Sequence, residues 1–87
     1  MIKKQQEAPK WFNGEIYEEG ATVSNPFSGE EYKLTGIELS IYDFILGTQM
    51  VMESIPSSLS EKMINDFHKA IRWFRINNTD AYYTLLD

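Results

Sequence analysis

The 87-residue sequence contains no cysteine, a single histidine and only three prolines. Without cysteine there is neither a disulfide framework nor a thiolate cage for zinc, and Cys-His nucleophilic chemistry is excluded by composition. With His68 alone, an imidazole metal site lacks a second ligand of its kind, and a Ser-His-Asp triad would have to be assembled around that one ring. On a helical wheel His68 flanks an apolar stripe beside Arg75, the position of an ordinary solvated or partly packed side chain. No apolar run approaches the ~20 residues of a membrane-spanning helix, and "MIKKQQEAPK" carries lysines with no apolar segment behind them. Neither a signal peptide nor a membrane span is expected, and the expected compartment is cytoplasmic. A Gly-rich phosphate loop and a dinucleotide fingerprint are also missing, so no cofactor is expected.

What is present is enough apolar material to fold. A hydrophobic share of 43% and an aromatic share of 14% exceed what a disordered chain carries, because such chains lack the apolar area to offset their ordering entropy. A core of this size buries only about 60–65% of the surface exposed by the unfolded chain, so stability is expected to be modest or shared with a partner. Acids outnumber bases 13 to 8, for a net charge of −5, and the two signs are segregated. Residues 11–35 hold Glu15, Glu18, Glu19, Glu30 and Glu31 against one lysine, whereas residues 55–78 hold Lys62, Lys69, Arg72 and Arg75 against two acids. An acidic front repels phosphate and disfavours general nucleic-acid binding, but it suits a basic protein partner.

Periodicity gives an order of strands first and helices after. Residues 1–9 lack a pattern and end in Pro9, which reads as a flexible N-terminal arm ahead of a single domain over 10–87. Asn13-Gly14, between Trp11-Phe12 and Ile16-Tyr17, has the composition of a type I′ hairpin turn. "ATVS" and "EYKL" alternate cleanly, putting Ala21 and Val23 on one face with Tyr32 and Leu34 opposite them. The loop between them, "SNPFSGEEY", offers an Asx-turn at Asn25, a fixed φ at Pro26 and a positive φ at Gly29; only Phe27 is not demanded by the turn. The ring of Phe27 is expected to fold down as a plug, with partner contact as the other reading.

"TGIE" predicts a capping box, Thr35 with Glu38, opening a helix over Gly36 to about Glu53. That helix has two apolar faces: Ile37, Ile41, Phe44, Thr48, Val51 and Met52 on one, and Leu39, Tyr42, Leu46 and Met50 on the other. After Pro56, "SLSE" predicts a second capping box with Ser58 as N-cap and a helix over Leu59 to about Ile76, with Met63, Ile64, Phe67, Ala70, Ile71 and Phe74 as its core stripe. Asn77-Asn78 suits a left-handed helix end, and Thr79 a cap for a last helix over Asp80 to Leu86. The fold class read from this order is α+β: one or two N-terminal β-hairpins packed on a central helix, followed by two further helices.

The candidate surfaces follow from what this fold leaves over. The second face of the central helix (Leu39, Tyr42, Leu46, Met50), together with Trp73, Ile76 and Phe27, is surplus apolar area suited to an interface, and self-association as a homodimer is the leading expectation. The last helix folding back over Trp73 and Ile76 is the intramolecular alternative. Glu18, Glu19, Glu30 and Glu31 form a candidate acidic docking surface, suited to inhibiting an enzyme with a basic groove. The same four could hold a hard cation, although acidic pairs on an exposed ribbon are more often solubilising charge. Lys62, Lys69, Arg72 and Trp73 resemble a stacking platform for single-stranded nucleic acid, countered by Asp66 at ion-pairing distance along the helix from Lys62 and Lys69. Asn25-Pro26-Phe27 matches the tripeptide bound by EH domains, and Asn77-Asn78-Thr79 a glycosylation sequon; the first is short and lies in a turn, and the second has no meaning without secretion.

"NPFSGE" followed by "LSIYDFILG", and the tail "WFRINNTDAYYTLLD", resemble a group of small, uncharacterised proteins encoded by tailed phages of marine bacteria. The resemblance spans nearly everything after the N-terminal arm. It implies a bacterial host cytoplasm and a partner among host or phage proteins, and carries no activity, cofactor or catalytic residue. A non-enzymatic protein-interaction module is therefore the expected function.

Overall fold

The computed structural model describes residues 7–12 and 14–86. Two short strands, β1 (Ala21–Ser24) and β2 (Glu31–Leu34), form an antiparallel hairpin. Three helices follow: α1 (Gly36–Ser54), α2 (Glu61–Asn77) and α3 (Thr79–Leu85). This is the α+β order read from the sequence. The register pairs Ala21 with Leu34 and Val23 with Tyr32, so the alternating apolar residues do share one face. Leu34, at the end of β2, is fully buried, and Val23 and Tyr32 pack half-buried against the same core. The hairpin lies against α3 as well as against α1.

Helix α1 begins where the capping box requires. The Glu38 amide donates to Thr35 Oγ1 at 3.2 Å, and the Thr35 amide donates to Glu38 Oε1 at 2.9 Å, satisfying two amides that the first helical turn leaves without partners. The core does not follow either of the two expected faces of α1 but runs between them, through Ile41, Tyr42, Ile45 and Thr48. Helix α2 packs along this line, its Phe74 ring 6.1 Å from that of Tyr42. Phe74, Leu34, Ile41 and Ile45 are the largest fully buried side chains, and burying each contributes about 1.5–3 kcal/mol.

Three local expectations are corrected. Trp11-Phe12 and Ile16-Tyr17 are not strands, and Asn13 of the expected hairpin turn lies outside the described residues, as do residues 1–6 of the expected arm. Instead, a turn in which the Phe12 amide donates to the Pro9 carbonyl at 3.1 Å places both rings on α1. Phe12 and Trp11 lie 5.8 and 6.2 Å from Phe44, burial that two adjacent residues of a strand, pointing to opposite faces, would not share.

Ser58 does not cap α2. Pro56 opens a 3₁₀ turn over Pro56–Ser58, Leu59 then returns to extended backbone, and Ser60 becomes the N-cap, its Oγ accepting from the Met63 amide at 3.2 Å. The helix thus starts two residues later than expected, and Met63 and Ile64, at its exposed end, are more open than the rest of their stripe. Finally, Asn78 is extended rather than left-handed, and it takes the capping role expected of Thr79: its Oδ1 accepts from the Ala81 amide at 3.2 Å.

Candidate functional site

Two surfaces outside the core carry the residues singled out from the sequence, and each is held in place by hydrogen bonds that sequence patterns alone do not reveal. The first is the loop between β1 and β2. Asn25 Oδ1 accepts from the amides of Phe27 at 2.8 Å and Ser28 at 3.2 Å, the Asx-turn expected. The backbone closes around it: the Gly29 amide donates to the Asn25 carbonyl and the Asn25 amide to the Glu30 carbonyl, both at 2.8 Å. Gly29 takes a φ of 78°, as the turn demands. The unforeseen contact is long-range, with Asn25 Nδ2 donating to the Thr84 carbonyl of α3 at 2.9 Å.

Asn25 is buried by these bonds, so Asn25-Pro26-Phe27 is a structural turn and not a free linear motif. Phe27 itself is 97% exposed. The plug expectation fails: on the backbone fixed by this turn the ring stands in solvent and packs on none of Ala21, Tyr32 and α1. Glu30 and Glu31, exposed beside it, leave the loop acidic.

The second surface is a hollow of about 730 Å³ between residues 15–19 and α1, lined by Glu15, Ile16, Tyr17, Glu18, Glu19, Leu39 and Asp43. Its wall is pinned to α1. The Tyr17 amide donates to Ser40 Oγ at 2.9 Å, Ser40 Oγ donates to the Gly36 carbonyl at 2.8 Å, and the Tyr17 hydroxyl donates to Asp43 Oδ2 at 2.8 Å. Gly36 is required here, since a Cβ at that position would sit 2.0 Å from the Tyr17 carbonyl oxygen.

The bond to Asp43, and then that carboxylate's charge, raise the Tyr17 phenol above its ordinary pKa; burial, with Asp43 again contributing, raises that of Tyr42. A raised phenol favours the neutral form in the folded state, so its contribution to stability is present below about pH 10 and lost as pH rises through the folded value. Alkaline titration followed by tyrosinate absorbance should therefore show two late-ionising phenols, one missing in Tyr17→Phe and the other in Tyr42→Phe. A wild-type curve matching free tyrosine throughout would contradict this.

The remaining candidates separate. Tyr42 is 3% exposed and belongs to this chain's own core, so the second face of α1 is not a free interface: α2 covers it at Tyr42, and Leu39 and Leu46 are half-buried against the core. Only Met50 of that face stands open. Trp73 also packs half-buried against the core and is not a bare stacking platform, while Ile76 remains 65% exposed, not covered as Trp73 is. Lys62 pairs with Asp66 at 2.7 Å. With Lys10, Trp11, Glu61, Asn65 and Lys69 these two line a cleft of about 460 Å³ of mixed charge.

Glu18 and Glu19 face α1 across the hollow rather than meeting Glu30 and Glu31, and among the described residues no group of three or more His, Asp or Glu side chains could hold a metal ion. His68 is exposed on α2, its ring 5.7 Å from Phe67. Among the described residues no helix is long and apolar enough to cross a membrane. No family model, curated protein or solved structure matches the chain.

Proposed function

We propose that this chain is a non-enzymatic protein-interaction module that engages its partner through Phe27. The observation that carries this reading is the 97% exposure of an aromatic ring on a loop whose turn is closed by four hydrogen bonds involving Asn25 and tied to α3 by a fifth. A ring presented on an ordered backbone loses little entropy on binding, and buried aromatics dominate interface energetics. Glu30 and Glu31 beside the ring favour a partner whose apolar pocket is rimmed by bases, which combines the interaction reading with that of an acidic docking loop. The resemblance to phage-encoded proteins implies a host or phage protein as that partner.

Phe27→Ala should leave the melting temperature within about 2 °C of wild type, because an exposed side chain away from caps and core contributes little to stability. The same variant should lose its partner. In captures from bacterial lysate compared by mass spectrometry, at least one protein held by wild type should fall by about 30-fold, the loss of a hot-spot contact. Glu30→Gln with Glu31→Gln should weaken that capture mainly at low salt. Identical bound sets for wild type and Phe27→Ala would remove the reading.

A further inference from the structure

The acidic hollow has its complement on the same chain. Four carboxylates line it, Glu15, Glu18, Glu19 and Asp43, together with Ile16, Tyr17 and Leu39, and no base is among its lining residues. Helix α2 presents the opposite surface. At 100° per residue, Lys69, Arg72, Arg75 and Ile76 fall on one side of the helix, and all four are exposed. No acid occurs in the chain between Asp66 and Asp80, so beyond Lys69, which shares its cleft with Glu61 and Asp66, the charges on this side are basic, with a 65% exposed isoleucine in their midst.

Neither set finds its counter-charges among the described residues. Among the described residues the ion pair formed is Lys62 with Asp66, leaving Lys69, Arg72 and Arg75 without carboxylates and Glu15, Glu18 and Glu19 without bases. We propose that the basic side of α2 in one copy docks into the acidic hollow of a second copy, with Ile76 on Ile16, Tyr17 and Leu39 and the three bases against the rim carboxylates.

The chemistry selects this occupant on two grounds. Apolar side chains set among acids are met by an apolar side chain set among bases, a complementarity that gives register and specificity to an interface. The hollow is also preorganised, since Tyr17 is bonded to both Ser40 and Asp43, so little ordering opposes docking. A single such contact is heterologous: the pair keeps a free basic side on the copy whose hollow is filled and a free hollow on the other, and association proceeds beyond the pair. The net charge of −5 opposes this at long range, which puts the expected affinity in the weak, micromolar class. This contact is independent of the Phe27 loop.

The test uses the full chain and two charge-neutralised variants. Glu18→Gln with Glu19→Gln weakens the hollow and leaves the basic side intact; Arg72→Gln with Arg75→Gln does the reverse. Sedimentation at low salt over about 1–500 µM, a range covering weak affinities, should show wild-type mass rising with concentration, and this rise should vanish near 1 M salt, where the Debye length is about 3 Å.

Each variant alone, with unchanged circular dichroism, should associate about tenfold more weakly or not at all. An equimolar mixture of the two should recover association as a one-to-one pair, because one partner supplies the intact hollow and the other the intact α2. Phe27→Ala should behave as wild type, which separates this contact from the partner loop. A wild type that stays monomeric across the range, variants that associate as wild type does, or a mixture that remains monomeric would each overturn the proposal.

Discussion

Replacing Phe74 with alanine should lower the melting temperature by roughly 15–30 °C, the largest stability effect expected of any single side chain here. The ring is fully buried on α2, tilted against Tyr42 of α1 at 6.1 Å between centroids, in a core that also holds Leu34, Ala81 and Leu85. It therefore sits where all three helices and the hairpin converge.

Truncating a buried phenylalanine costs about 3–5 kcal/mol, the lost transfer energy plus that of the cavity left behind. At about 0.05–0.15 kcal/mol per residue a chain of this length holds roughly 4–13 kcal/mol in total, so the loss removes a large fraction of the stability. Thermal and urea unfolding followed by circular dichroism measure it, and a Phe74→Ala melt within a few degrees of wild type would contradict the packing described. The comparison with Phe27→Ala is instructive, because the same substitution in the same chain is expected to leave the melt unmoved. Contact, not residue type, sets the cost.

The second large effect is expected at Glu38, a carboxylate only 3% exposed. Its two oxygens serve different elements: Oε1 accepts from the Thr35 amide at 2.9 Å, and Oε2 accepts from Asn78 Nδ2 at 3.0 Å. Asn78 in turn caps α3 through Oδ1, so one carboxylate joins the start of α1 to the junction of α2 and α3. Glu38→Gln keeps the shape but has only one acceptor oxygen; its amide would meet either the Thr35 amide or the Asn78 amide, donor against donor. Leaving a buried donor unmatched costs about 1–3 kcal/mol, more where a charged acceptor is lost, so a destabilisation of about 2–4 kcal/mol is expected.

Asn78→Asp alone should destabilise for the converse reason, two carboxylates facing each other. The double variant should recover much of the loss. The amide introduced at position 38 can then donate to the carboxylate introduced at position 78, while its oxygen still accepts from Thr35 and the new carboxylate still caps α3. Denaturant unfolding of the four proteins gives the coupling directly, and a double variant as unstable as the sum of the singles would show that the Glu38–Asn78 bond does not hold the junction.

Much of this fold was legible because its signals are local. The alternation of "ATVS" and "EYKL" is enough to set the register, from the pair Ala21 and Leu34 to the pair Ser24 and Glu31, since a one-residue slip would turn Leu34 to water. Thr35 and Glu38 lie three residues apart, so their reciprocal bonds are a property of the helix start itself. The same holds for the Asx-turn at Asn25 and the positive φ of Gly29.

Local signals misled where two of them competed. Ser58 and Ser60 both offer a cap, and the 3₁₀ turn begun by Pro56 decided for the later one. Asn13-Gly14 suggested a hairpin, but Trp11 and Phe12 bury more by joining Phe44 than a two-stranded ribbon could offer them.

The candidate surfaces were less legible, for a reason that separates the two levels. A helical wheel lists what lies on each side of α1 and α2, but not which side a neighbour covers. Tyr42 and Ile76 are both apolar surplus on such a wheel; packing buried the first under Phe74 and left the second open. The hollow needs residues 15–19 and Asp43 together, groups far apart in the chain that meet only because Gly36 lets the backbone pass close and Ser40 and Asp43 hold it there.

By itself the sequence determined the order of elements, the hairpin register, the start of α1 and the segregation of charge, all of which arise from neighbours a few residues apart. Only the tertiary structure decided that Phe27 stands in water, that Tyr42 does not, and that the acids of residues 15–19 gather against α1. Each of those outcomes depends on contacts closed over long stretches of chain, where burial and long-range hydrogen bonds override the pattern of any one segment.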